Sequence, residues 1–145
     1  MTKPVIAIAS DHAGVELKSA VKQWLKEYAD TVIDLGPDDA GVSVDYSDYG
    51  NKLAETVLAG KAQFGVAICG SGIGISIAAN RHKGIRAALC HSGISAALSR
   101  QHNNANVLCL GARLLSTEVA KECVQQFFTT AFEGGRHERR VEKLG

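Results

Sequence analysis

Two hydrophobic patterns alternate along the chain. Short runs of consecutive apolar residues, rich in Val and Ile and followed by Gly or polar residues, are typical of buried strands. Between them, apolar residues recur at spacings of three and four, which is the pattern of one helix face. The predicted strands cover residues 5–9, 32–35, 64–69, 85–90 and 107–110, and the clearest helix faces lie in 17–28, 49–58 and 119–131.

Strands that alternate with helices predict a parallel five-stranded sheet covered on both faces, with right-handed crossovers. The chain has 145 residues, of which 46% are apolar, so one core can form without disulfides or metals. We therefore expect a single domain spanning residues 1–145. Only the segment 134–145 departs from the pattern, since two glycines are followed there by a basic stretch.

The charge and hydropathy of the chain exclude some classes of binding partner. Sixteen Lys and Arg balance fifteen Asp and Glu, for a net charge of +1, which predicts no general affinity for nucleic acid or anionic membrane. The uncharged stretch 62–80 contains several glycines and indicates a strand, a turn and a helix rather than a membrane span. The first apolar run is too short for a secretion signal and leads directly into Asp11, so we expect a cytoplasmic protein.

Ligands of open parallel sheets bind beyond the carboxyl ends of the strands. That rule selects a small set of polar segments before any chemistry is considered. They are Asp11 and His12, residues 69–74, His91 and Ser92, and residues 111–113.

The segment CGSGIG, residues 69–74, carries the strongest chemical signal. Glycines between a strand and a helix can point successive amides at one anion, and the helix N-terminus adds positive potential. A thiol in that setting is favoured as the thiolate, which accepts protons, and the same amides could hold an enediolate oxygen. The loop lacks the spacing of a dinucleotide fingerprint or a Walker loop, and Ile75 stands where a cysteine phosphatase needs Arg. A tight turn around a buried Cys69 is the alternative.

The other candidates each have a structural alternative. Asp11 could cap the first helix with His12 beside it on the surface, and Tyr46 could belong to a helix start. His102 and Asn103 end a helix, where such residues often serve as terminators, although we expect the topology to place His102 facing the cysteine loop. The basic residues Arg113, Arg136 and Arg140 could bind a phosphate or form a solvated surface and tail.

Neither a metal nor another cofactor is expected. The five His and four Cys show no H-x-x-H, H-E-x-x-H or C-x-x-C spacing, and the cysteine positions do not suggest a disulfide framework.

Taken together, seven motifs resemble the type B ribose-5-phosphate isomerases and the related galactose-6-phosphate isomerase subunits. In order along nearly the whole chain they are ASDHAG, VDYSDY, CGSGIGISIAANR, GIRAALC, LSRQHNNANVL, LGAR and EGGRHERRV. The resemblance implies a Rossmann-like three-layer α/β/α sandwich. It also implies a homodimer, or a tetramer built from it, whose active sites are shared between two chains, with the segment 134–145 crossing to the partner.

The resemblance also implies catalytic roles. Cys69 would take a proton from the carbon next to the carbonyl, through a cis-enediol(ate), and Ser71 would help to move protons between the oxygens. His102 with Asp11 would open the furanose ring. The loop glycines Gly70, Gly72 and Gly74 would form the anion hole.

The remaining roles implied by the resemblance concern binding. Tyr46 and Asn103 would bind sugar hydroxyls, and the phosphate would be held by His12, Arg113, Arg136 and Arg140. One branch of the family uses a glutamate further into the loop, but residues 73–75 contain no carboxylate here, so the cysteine branch is the match. The implied reaction interconverts ribose 5-phosphate and ribulose 5-phosphate in the pentose phosphate pathway. An isomerase of allose or galactose 6-phosphate and a non-catalytic sugar-phosphate sensor are the alternatives.

Overall fold

The computed structural model describes residues 2–145 as alternating strands and helices. The strands are β1 (Val5–Ser10), β2 (Thr31–Asp34), β3 (Phe64–Cys69), β4 (Ala87–Leu89) and β5 (Val107–Gly111). The helices are α1 (Val15–Leu25), α2 (Tyr46–Leu58), α3 (Ile73–Asn80), α4 (Gly93–Asn103), α5 (Thr117–Thr129) and α6 (Arg136–Glu142), and a short 3-10 turn, His12–Gly14, precedes α1.

All strand pairs are parallel, and the strand order is β2-β1-β3-β5-β4. The expected five-stranded α/β sandwich is confirmed. The register pairs Cys69 at the end of β3 with Gly111 at the end of β5, so these two residues lie at the same carboxyl edge of the sheet.

The edge strand β4 is shorter than the sequence predicts. The hydrophobic run covers 85–90, but only three residues pair with β5. Just before the paired residues of β4, a side chain satisfies the backbone: Asn106 Oδ1 accepts a hydrogen bond from the Arg86 N–H over 2.8 Å. On the outer side of the strand, the Asn80 side chain bonds both the N–H and the C=O of Ala87.

The sheet separates two hydrophobic cores, because side chains alternate across a strand. One face, including Ile6 and Ile8, packs with residues of α1, α4 and α5 such as Phe127. The other face, including Ala7, Ala9 and Cys69, packs with residues of α2 and α3 such as Leu53 and Ile75. Within residues 2–145, none of the helices has the length and apolar character that a membrane crossing requires.

Candidate active site

The backbone of Gly72 shapes the loop that follows β3. Gly72 has a left-handed φ of 77°, which non-glycine residues rarely adopt, and it precedes α3. A Cβ at Gly72 would also lie 2.8 Å from the Leu110 carbonyl carbon on β5. The Gly72 N–H donates to Cys69 Sγ over 3.2 Å. The predicted strand, glycine turn and helix are therefore confirmed, with the thiol facing a main-chain donor.

Further main-chain donors of the loop remain available. The Ile73 N–H donates to Ser71 Oγ over 3.1 Å, which leaves the hydroxyl hydrogen free to donate elsewhere. The amides of Ser71 and Gly74 have no hydrogen-bond partner among residues 2–145. Together with the N-terminus of α3, these groups can stabilise negative charge on a bound ligand.

An open cleft of about 590 Å³ lies over this loop. It is lined by residues 69–71, 73, 74, 77 and 114 together with Asp11, Tyr46 and Arg113. Cys69 is only 4% exposed, yet it forms part of the cleft wall. The structure thus brings the predicted base, anion loop, acid, aromatic ring and one arginine into one cavity.

Two glycines allow side chains from other elements to reach the cleft. A Cβ on Gly74 would lie 2.5 Å from Cε1 of Tyr46, so that ring packs directly on the glycine at the start of α3. A Cβ on Gly70 would lie 3.1 Å from Nη1 of Arg113. Arg113 is also tied to the loop through its backbone, since its N–H donates to the Gly70 carbonyl over 2.9 Å.

Asp11 and His12 directly follow β1, and Asp11 makes the cap that the sequence offered as its structural role. Asp11 is 7% exposed, and its Oδ1 accepts from the Ala13 N–H over 3.0 Å, so it caps the following turn while it lines the cleft. His12 Nδ1 accepts from the Val44 N–H over 3.1 Å. That bond leaves Nε2 as the protonated nitrogen of the neutral ring, able to donate to a ligand.

The other three cysteines are unsuited to base chemistry. Burial raises the pKa of Cys90, raises that of Cys109 strongly, and raises that of Cys123 to about 11. All three belong to the hydrophobic cores. Among the four thiols, only Cys69 borders the cleft.

His102 and Asn103 do not reach the cysteine loop of their own chain. Helix α4 ends at these residues just before β5 begins at Val107, whereas the Cys69 loop lies beside Gly111 at the other end of β5. The length of β5 separates them, about 13 Å at 3.3 Å per residue. The expectation that the topology makes His102 face the loop is wrong within one chain, because α4 runs antiparallel to the strands.

The C-terminal arginines share that distant location. His137, between Arg136 and Arg140 on α6, stacks on His102 with ring centroids 4.4 Å apart. Upstream, the Glu133 N–H donates to the Gln101 carbonyl over 3.1 Å. One chain thus carries two groups of predicted site residues at opposite edges of its sheet.

Two further residues, Glu133 and His137, lie beside His102 and were not singled out from the sequence. Glu133 Oε1 lies 3.4 Å from His137 Nε2 and 3.8 Å from His102 Nε2. The spacing of four between 133 and 137 was a visible signal. Their approach to position 102, however, depends on tertiary packing.

Comparison with known proteins agrees with this geometry. A sequence model described as Ribose/Galactose Isomerase matches residues 6–144. The chain belongs to this family. Among curated members of the Ribose/Galactose Isomerase family, it is 48% identical to a probable ribose-5-phosphate isomerase B of Mycoplasma pneumoniae, over 96% of this chain and 91% of the relative. It is also 42% identical to a D-erythrulose-4-phosphate isomerase of Pectobacterium atrosepticum, over 97% and 92% of the two chains.

Solved structures of this family have the same fold. A ribose 5-phosphate isomerase of Thermotoga maritima superimposes with a TM-score of 0.93 at 50% identity, covering 97% of each chain. The resemblance drawn from the seven sequence motifs is therefore confirmed, and so is membership of an enzyme family that isomerises sugar phosphates.

Proposed function

We propose that this protein interconverts ribose 5-phosphate and ribulose 5-phosphate through a cis-enediol(ate), as a step of the pentose phosphate pathway. The observation that carries the proposal is a thiol with a main-chain donor 3.2 Å away, in a cleft beside unpaired amides. The relatives named as ribose-5-phosphate isomerases, at 44–50% identity across most of the chain, support the substrate.

The chemistry begins at C2 of the open-chain aldose. The Cys69 thiolate removes the C2 proton, and the electron pair forms the C1–C2 double bond while the carbonyl oxygen becomes an enediolate oxygen. Amides of the loop stabilise that oxygen, and one such donor contributes ~3 kcal/mol in the transition state. The Ser71 hydroxyl moves a proton between the two oxygens, and Cys69 returns its proton to C1 to give the ketose.

Ring opening must precede this step, because ribose phosphates are mostly cyclic. We assign it to Asp11 with His102, one group accepting the hydroxyl proton and the other donating to the ring oxygen. Tyr46 and Asn103 bind the sugar hydroxyls. The phosphate is held by His12, Arg113, Arg136 and Arg140, because charge-assisted bonds from guanidinium groups suit a dianion.

This assignment requires two chains. In one chain, the Cys69 cleft lies at the carboxyl ends of the strands, whereas His102, Arg136 and Arg140 lie near the opposite ends. Each complete site therefore combines the cleft of one chain with these three residues of its partner. Exposed apolar side chains in the cleft support contact with a partner chain, since Ile73, Ile77 and Leu114 are 49%, 52% and 60% exposed. We therefore propose a homodimer, or a tetramer built from it, with the segment 134–145 reaching the partner's cleft. Four unpaired thiols fit a reducing compartment, and we propose a cytoplasmic location.

The deciding experiment is turnover by Cys69→Ala. We expect a folded protein whose kcat falls by about 10²–10⁴ or more, because the general base is gone. Cys123→Ala is the matched control, since it removes a core thiol outside the cleft. Full turnover by Cys69→Ala would refute the assignment of the base. If the wild-type protein binds ribose 5-phosphate but does not turn it over, a sugar-phosphate sensor is favoured.

Substrate choice is tested in the same assay. Ribose 5-phosphate should give a higher kcat/KM than allose 6-phosphate, galactose 6-phosphate or D-erythrulose 4-phosphate. The last belongs in the set because a relative at 42% identity is named for it. A preference for any of the other three would replace the substrate but keep the chemistry.

A further inference from the structure

Three side chains, one at the end of α4 and two from the segment after α5, bring nitrogen and oxygen atoms close together. One ring nitrogen of His102, one carboxylate oxygen of Glu133 and one ring nitrogen of His137 lie within 4.8 Å of one another. Their exposure is graded, since the side chains of Glu133 and His102 are 50% and 41% exposed and that of His137 is 9% exposed. An ion from solvent can therefore reach His102 and Glu133, while the buried His137 is held in place by its packing.

The spacing of these atoms approaches that of a tetrahedral metal centre. With bonds of about 2.0–2.1 Å, as zinc makes to His and Glu, neighbouring ligand atoms lie about 3.3 Å apart. Glu133 Oε1 and His137 Nε2 are separated by 3.4 Å, and the Glu133–His102 separation of 3.8 Å exceeds the ideal by only about half an ångström. Two His and one Glu form a ligand set that zinc uses when it keeps a fourth position open.

One rearrangement is needed for the three groups to share an ion. The rings of His102 and His137 are inclined by only 14°, whereas two imidazoles that bind one ion must converge on it. His102 can turn, because it is partly exposed and stands in the last turn of α4. The backbone already holds the two segments together, since the Glu133 N–H donates to the Gln101 carbonyl over 3.1 Å.

We propose that His102, Glu133 and His137 form a binding site for Zn²⁺, and that zinc bound there inhibits the isomerase. The binding step stands on the geometry alone. The inhibition rests on the proposed function, in which His102 opens the sugar ring: a nitrogen whose lone pair is bound to zinc can neither accept nor donate the proton. Zinc is thus a reversible inhibitor at this site and has no part in the isomerisation itself.

Binding is tested by calorimetric titration of ZnCl₂ into the full-length protein in its native assembly. Removing one ligand with Glu133→Gln should weaken zinc binding at least about ten-fold. His137→Gln should do the same, while His91→Gln, which removes an exposed histidine outside the cluster, should leave the affinity unchanged. Circular dichroism of each variant controls for folding, and the half-exposed position of Glu133 makes Glu133→Gln the decisive variant.

The competing site is the active thiol, since zinc also binds thiolates. The Cys69→Ala protein should therefore retain the wild-type zinc affinity. If zinc binding is lost in Cys69→Ala and unchanged in Glu133→Gln, the ion is on the thiol and the proposed site is refuted. Absence of saturable binding to the wild-type protein would refute it as well.

Inhibition is measured separately, with each variant compared with its own rate in the presence of a chelator. Zinc should slow wild-type turnover of cyclic ribose 5-phosphate, and the concentration giving half inhibition should rise at least about ten-fold in Glu133→Gln. Zinc that binds the cluster without slowing turnover would refute the inhibition while leaving the isomerase intact. A protein that binds zinc but lacks isomerase activity altogether would instead refute the proposed function and leave the metal site standing.

Discussion

The main-chain N–H of Gly72 points at the sulfur of Cys69, at a distance of 3.2 Å. Such a donor stabilises a thiolate more than a thiol, because it interacts with the full negative charge. The left-handed turn at Gly72 creates this contact, and the same turn starts α3, whose N-terminus adds to the positive potential. The reactive group and the structure that activates it thus come from six consecutive residues.

Selective alkylation should distinguish Cys69 from the other thiols. We expect iodoacetamide to add one carboxamidomethyl group, at Cys69, because it borders the cleft while burial raises the pKa of Cys90, Cys109 and Cys123. Mass spectrometry of tryptic peptides, taken alongside residual activity, measures both effects. Inorganic phosphate or substrate should slow the reaction, and an equally fast adduct on the Cys69→Ala protein would contradict the prediction.

The packing of Tyr46 on Gly74 gives a second prediction. Gly74→Ala would place a methyl group 2.5 Å from the Tyr46 ring, so the ring must leave its present position in the cleft wall. We expect the KM for ribose 5-phosphate to rise several-fold with a loss of stability of about 1–3 kcal/mol, as overpacking usually costs. Steady-state kinetics and thermal unfolding measure the two effects.

A double-mutant cycle tests whether Tyr46 carries the Gly74→Ala effect on KM. Because Tyr46→Ala removes the ring that the methyl group displaces, Gly74→Ala should add little to KM in that background. Additive effects of the two substitutions would mean that Gly74→Ala acts through the loop itself. Gly41→Ala, in a surface loop outside the cleft, is the control for a glycine substitution.

The local part of the site could be predicted from sequence, and the long-range part only in outline. The loop around Cys69 is encoded by neighbouring residues, so its strand, turn and helix follow from composition and spacing. The prediction for His102 was wrong although the predicted topology was right, because a crossover helix between parallel strands runs antiparallel to them and ends near their amino ends. The approach of Glu133 to His102 was missed because it depends on how the chain after α5 returns to α4. Strand β4 was predicted too long, since its pairing begins only at Ala87 and the Arg86 N–H donates to the side chain of Asn106 instead.

The separation of the two half-sites predicts complementation between inactive subunits. A hybrid dimer of Cys69→Ala and His102→Asn chains would contain one doubly altered site and one intact site, if each site takes Cys69 from one chain and His102 from the other. Unfolding and refolding an equal mixture should then restore about one quarter of wild-type activity, from random pairing of two chain types in a twofold-symmetric dimer.

The control for complementation pairs Cys69→Ala with Ser71→Ala, which alter the same half-site. Their hybrids have a defect in every site, so mixing should restore no activity beyond that of the parents. Equal recovery in both mixtures, or none in the first, would argue against sites shared between chains. Size-exclusion chromatography with light scattering confirms that hybrids form.

A last relationship concerns stability rather than catalysis. Asp34, at the end of β2, accepts from Lys18 Nζ at 2.7 and 2.8 Å, from Lys22 Nζ at 2.8 Å and from the Gly36 N–H at 2.9 Å. Burial alone would raise the pKa of Asp34, but the hydrogen bonds from the two lysines and Gly36 outweigh it and lower that pKa. Lys18 itself is only 3% exposed, and Asp34 is the carboxylate that contacts its Nζ most closely, at 2.7 Å.

Asp34→Asn should therefore destabilise the fold in a pH-dependent way. At pH 7 we expect a loss of about 3 kcal/mol in the free energy of unfolding, because Lys18 is left as a buried charge without its partner. The pKa of Asp34 is lower in the folded protein than in the unfolded chain, where it is about 4. The carboxylate therefore stabilises the fold fully at pH values above about 4, and this stabilisation decreases as the pH falls below that value. The gap between wild type and variant should therefore narrow as urea titrations move from pH 7 toward pH 3. Asp38→Asn, which alters an exposed carboxylate 3.8 Å from Lys18, should cost less than about 1 kcal/mol at either pH. A gap that stays constant with pH would mean that Asp34 contributes through packing rather than charge.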